Sequence, residues 1–127
     1  MSNSKIDPYD LNVPNVNFTL VDKDDDRFEK LKQERLNQGF DVSETWSLKS
    51  TMSKFIYPRL VEYQKQANDK LLRDQELIDK IDALIESFRL FNQLEDGKIL
   101  LSDIEETYKV IDEGLKYFPE VFHSLWW

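Results

Sequence analysis

The sequence predicts an all-α fold: a small bundle of about four helices behind an extended N-terminal arm. Three observations predict it. Apolar residues between 74 and 118 recur at alternating steps of four and three, the period of a helix face. Glycine is scarce, 3 in 127 residues, which leaves few of the turns an all-β sandwich needs. The stretch that alternates in twos, Asn15 to Leu20, lies near the N-terminus and has no second strand to pair with. The organisation expected is an extended or disordered arm over 1–23 and a helical bundle domain over 24–127. That length suits one domain with one modest core, made bulky by aromatics at 13% of the chain.

The arm holds four Asn and two Pro and shows little helical period. Asp24, Asp25 and Asp26 then place acid at a helix start, where the macrodipole favours it. Asp22, Asp24 and Asp26 briefly suggest a calcium loop, but Arg27 stands where glycine is needed and Gln33 where the bidentate Glu belongs. The first helix should run to about residue 37 and end at Gly39 as a C-cap. Its apolar face is thin, only Phe28, Leu31 and Leu36, so it should pack at the edge of the core.

Asp41-x-x-Glu44, or Ser43, should start the second helix. Leu48, Met52, Phe55, Ile56, Leu60, Tyr63, Ala67 and Leu71 define its expected buried stripe, with Arg59 on the margin. Pro58 in the interior should cost about 3 kcal/mol relative to Ala, so some feature of the site should offset it. An Arg on an apolar margin needs a carboxylate, expected on the fourth helix, or a partner. The third helix, about 74–94, repeats Leu77, Ile81, Leu84, Phe88 and Phe91 and is the expected central seam. After a turn at Glu95–Lys98, Ser102 and Glu105 read as a capping box for the fourth helix. Its stripe is Ile104, Tyr108, Ile111, Leu115 and Phe118. Pro119 should kink that helix or open a short terminal one.

Composition excludes several functions. The absence of Cys removes a thiol nucleophile and a disulfide framework, and suits a reducing compartment. A net charge of −8 disfavours direct nucleic-acid binding, which depends on neutralising phosphates. No apolar run approaches a membrane span, and the N-terminus lacks the apolar core of a signal peptide. With one His and no Gly-rich phosphate loop or G-x-S-x-G, nucleophilic catalysis has little support. Glu120-x-x-His123 has the spacing of half a di-iron site, but a bundle site needs two such pairs. No cofactor or metal is expected.

The second helix offers a better candidate. Between Glu44 and Lys70 it carries five cations and three acids, a surplus of +2 in an acidic chain. Trp46, Lys49, Lys54, Tyr57 and Arg59 therefore form a candidate surface for an anionic ligand or an acidic partner. The C-terminus adds Trp126 and Trp127, the latter hard to bury as the last residue and so a candidate contact.

Trp46-Ser47-Leu48, Thr51, Ile56 and Pro58-Arg59-Leu60 resemble a T-W-x-L-D-x-T opening and an I-x-P-R-L segment of small phage-encoded proteins of no assigned function. Gly114-Leu115, Phe118, Phe122 and Ser124-Leu125-Trp126 resemble their C-terminal element. The likeness covers roughly residues 40–65 and 113–127. It departs at Lys49, where the pattern has an acid, and at Pro119, where it has a helix former. The resemblance implies a phage or prophage origin and a helical fold, without an activity.

The function expected is binding rather than catalysis. A minor virion or assembly component would use the arm and the aromatic end to contact itself or other phage proteins. The alternative is an effector in the infected cell that sequesters an anionic small molecule or inhibits a basic host protein. Either places the protein in the host cytoplasm or in the particle.

Overall fold

The computed structural model describes residues 21–70 and 74–125, with backbone alone at 68–70. These residues form five helices: α1, Phe28–Gln38; α2, Leu48–Lys70; α3, Gln75–Glu95; α4, Ile104–Leu115; and α5, Phe118–Phe122. Short 3-10 turns at Val42–Thr45 and Leu101–Asp103 precede α2 and α4. No strand occurs among the described residues, and the fold is all-α as the periodicity predicts. None of their helices is long and apolar enough to cross a membrane. Of the expected arm, only residues 21–23 are described, and Val21 is buried. The chain divides into two compact units, one ending at Met52 and the other beginning at Ser53.

In the first unit α1 starts at Phe28, later than the acids at 24–26 suggest. The reason is local: Asp25 N donates to Asp22 O and Phe28 N to Asp25 O, so the chain turns before it winds. Asp25 caps no helix; its carboxylate takes the Arg27 side chain at 2.9–3.0 Å. Those bonds hold the Asp25 carboxyl well below the usual range, at about 2. Gly39 ends α1 in the left-handed region, φ +88°, as expected of a C-cap. The inward positions of α1 are Leu31 and Arg35, whereas Leu36, expected inside, is exposed.

Arg35 is buried because Asp41 is buried beside it. The Arg35 guanidinium pairs with Asp41 Oδ2, while Asp41 Oδ1 accepts from Ser43 N at 2.9 Å and Ser43 Oγ at 2.5 Å. Asp41 N in turn donates to Glu44 Oε2 at 2.7 Å. This is the capping box read from Asp41-x-x-Glu44, closed on a 3-10 turn instead of on α2 itself. Burial raises the Glu44 carboxyl against the opposing bond from Asp41 N.

The second unit is built on α3. Ile81, Leu84 and Phe88 join Leu60 of α2 and Val121 of α5 in one buried cluster. Ile56, Tyr57, Tyr63, Leu77, Ile85, Phe118 and Leu125 close around it. The seam predicted for the third helix is therefore the core. Ser53 Oγ donates to Asn92 Oδ1 at 2.7 Å and Gln64 Nε2 to Ile78 O at 3.3 Å, so α2 runs antiparallel to α3. Ser87 Oγ donates to Ile111 O at 2.8 Å while Gly114 lies on Ala83, so α4 also runs antiparallel to α3.

α4 differs from expectation in two ways. Its N-cap, Asp103, makes no side-chain cap bond, and the Ser102–Glu105 capping box does not form, because Leu101–Asp103 winds as a 3-10 turn first. Its buried face is Thr107, Ile111 and Gly114, while Tyr108 and Leu115 of the expected stripe are exposed. Close approach decides this. A Cβ at Gly114 would fall 1.9 Å from Ser87 Oγ and 2.4 Å from Ala83 O, so glycine lets α4 sit almost on the α3 backbone. Pro119 opens α5 rather than breaking α4. Tyr63 Oη of α2 reaches the residues just after α5, donating to Ser124 O at 2.8 Å.

Candidate protein-binding face on α2

The stripe predicted to bury α2 holds from Ile56 on, where Ile56, Leu60, Tyr63 and Ala67 are buried or half-buried, and fails before it; Leu71 of the same stripe lies outside the described residues. The inward side chains are Ser53, Leu60 and Ala67, with Ser50 also buried near the start of the helix. Small serines permit this, and the Ser53 hydroxyl finds partners in Asn92 Oδ1 and Phe88 O. Leu48, Met52 and Phe55 therefore face outward, 56%, 56% and 46% exposed. They follow at steps of four and three and so form one row along the helix.

Arg59 continues that row one turn beyond Phe55. Its guanidinium lies 3.8 Å from the Phe55 ring centre, and Nη1 donates to Phe55 O at 2.9 Å. Both contacts fall in the turn that the Pro58 ring disturbs, where proline lacks an N–H and crowds the preceding carbonyls. The side-chain donor thus supports a carbonyl in a weakened part of the ladder. It also caps the exposed Phe55 ring with positive charge.

The other sequence candidates separate. Lys49 is exposed and Lys54 half-buried, both on α2. Tyr57 packs against the core of the second unit and belongs to the fold. Trp46 is exposed in the first unit, with the Arg27 guanidinium 4.7 Å above its ring. Trp126 and Trp127 lie outside the described residues. Sequence reasoning assigned Leu48, Met52 and Phe55 to the core. The serines at 50 and 53, three apart and in register with Tyr57 and Leu60, carried the signal that the close-packed face lay elsewhere.

Elsewhere the charged groups hold the fold. Lys80, in a shallow groove with Glu76, Asp79, Ala83 and Tyr117, donates to Glu120 at 2.5 Å and Glu76 at 2.9 Å. Those bonds raise the Lys80 ammonium above its ordinary range, Glu120 contributing most. Glu120 thereby ties α5 to α3, while His123 sits exposed against the Phe122 ring. Among the described residues no three His, Cys, Asp or Glu side chains gather as a metal site. No family model, curated protein or solved structure matches the chain.

Proposed function

We propose that this chain is a non-catalytic protein of phage or prophage origin that acts by binding other proteins, as a minor virion or assembly component, through the outward face of α2. The phage origin rests on the resemblance at Trp46–Leu60 and Gly114–Trp126. The binding mode rests on one observation: Leu48, Met52 and Phe55 stand exposed in a row on an ordered helix. Such rows on soluble proteins mark contact surfaces, and Met, Phe and Arg suit interface centres. A helix face of this kind offers anchors at i, i+4 and i+7 to a partner groove or helix.

The test is a photo-reactive amino acid at Met52 in cells making the protein. Discrete protein adducts, lost on Phe55→Glu, are expected; a chain that stays uncrosslinked would remove the α2 face as a binding surface. Mass spectrometry of purified particles reads the location. Peptides of this chain in the particle support the virion role, and their absence from particles but presence in infected cells would replace it with the effector role.

A further inference from the structure

The first unit buries two carboxylates beside one cation. Asp41 is inaccessible and Glu44 is 9% exposed, while Arg35 is the one buried cation among the described residues. Arg35 comes from α1; Asp41 caps the 3-10 turn at Val42–Thr45, and Glu44 lies within it.

The donors are divided unequally. Asp41 takes the Arg35 guanidinium on Oδ2 and both Ser43 N and Ser43 Oγ on Oδ1. Among the described residues the Glu44 side chain takes Asp41 N alone, at 2.7 Å. Glu44 is therefore a second buried anion next to a pair that already balances. Burial raises its carboxyl, and the charge of Asp41 adds to that, against the bond from Asp41 N and the pull of Arg35. The other carboxylate at this turn is Glu34 of α1, half-buried, which accepts from Val42 N at 2.8 Å. The start of α2 meets the turn through the uncharged Thr51 hydroxyl, which donates to Glu44 O at 2.8 Å.

A proton on Glu44 breaks none of these bonds. Oε2 still accepts from Asp41 N when Oε1 carries the proton, and the second buried anion is gone. Asp41 has no such freedom, because its charge pairs with Arg35.

We propose that Glu44 is a proton-operated latch: protonated, it tightens the turn that fastens α1 to the start of α2, and ionised, it loosens that turn. The sign follows from linkage. A carboxyl raised by folding makes the folded chain bind the proton more readily than the unfolded chain does. The stability this adds is fully present below the ordinary Glu range and is lost as pH rises through the raised value. The latch lies wholly within the first unit and is independent of what the α2 face binds.

Amide hydrogen exchange of the full chain, read residue by residue, tests this. After correction for intrinsic rates, protection at Leu31, Asp41 and Ser43 should rise by about twofold or more from about pH 7 to about pH 5. Glu44→Gln keeps an acceptor for Asp41 N without the charge, and Gln suits a capping box. It should show the acid level of protection already at neutral pH and lose the pH dependence. Carbon NMR of the Glu44 carboxyl in the unaltered chain reads the proton directly, and should place its titration above the ordinary Glu range. Wild-type protection that stays level or falls on acidification, or a carboxyl that titrates at or below the ordinary range, would overturn the proposal. So would a Glu44→Gln chain less protected than the wild type at neutral pH. A rise that survives Glu44→Gln but disappears in Glu34→Gln would move the proton to Glu34 and overturn it as well.

Discussion

At the scale of single residues, Asp41 holds the first unit together. Its carboxylate is wholly buried, accepts from Ser43 N and Oγ, and pairs with an Arg35 side chain that is only 5% exposed. A buried pair adds little over a well-packed apolar pair, but removing one member strands the other. Asp41→Ala should therefore cost about 3–5 kcal/mol, larger than the ~1 kcal/mol of an ordinary lost cap. Denaturant unfolding of the two proteins measures it; a loss no larger than a cap's would mean that Arg35 finds other compensation. Half of this cluster was legible in the sequence. Asp41 and Glu44 announce themselves by capping-box spacing, which depends on neighbours in the chain. Arg35 does not, because its burial follows from a partner six residues away across a turn, and a search for apolar positions passes over it in favour of Leu36.

At the scale of elements, helix existence and the buried face of α3 were readable, while the buried faces of α2 and α4 were readable only in part. The 4-3 period located α3 and α4, yet Leu48, Met52 and Phe55 of the α2 stripe and Tyr108 and Leu115 of the α4 stripe are exposed, while small residues join Leu60, Ala67 and Ile111 on the buried faces. Ser53 and Gly114 lie at these contacts because hydrogen bonding and close approach, rather than apolar area, set the packing. Gly114→Ala should thus destabilise despite Ala's better helix propensity. The propensity gain is about 1 kcal/mol, whereas pressing a methyl onto the Ala83 carbonyl requires backbone movement costing about 1–3 kcal/mol or more. A lowered thermal midpoint is expected, and an unchanged or raised one would show that α4 can lift off α3 cheaply. On α2, where Pro58 is expected to need an offset, the Arg59 side chain donates to Phe55 O within the same turn. Arg59→Met should cost about 0.5–1.5 kcal/mol beside Pro58 and less in a Pro58→Ala background, where the helix ladder is restored. A double-mutant cycle on stability reads the difference, and equal losses in both backgrounds would separate the guanidinium from the proline.

At the scale of the molecule, the two units are stabilised by different means. The first carries a small apolar set, Val21 and Leu31, around the buried polar groups Arg35, Asp41, Ser43 and Glu44. The second has the contiguous apolar cluster of Leu60, Ile81, Leu84, Phe88 and Val121. Within it Ile81 is completely inaccessible and touches no surface through which a charge could reach water. An Asp there must stay charged and unsolvated, or be neutralised at the expense of a shifted titration; both are costly for a domain whose whole stability is of the order of 5–15 kcal/mol. Ile81→Asp should abolish cooperative unfolding and remove most of the helical circular dichroism, since α3, α4, α5 and most of α2 share this cluster or pack on it. Ile81→Val, which trims one methylene from the same place, should cost only about 0.5–1.5 kcal/mol and keep the transition sharp. The adjacent Asp82 is exposed, so Asp82→Ile, the opposite exchange one position along, should leave the midpoint nearly unchanged. An Ile81→Asp chain that melts like the wild type would mean that the α3 face is misassigned, and with it the cluster of Leu60, Leu84, Phe88 and Val121 built around it.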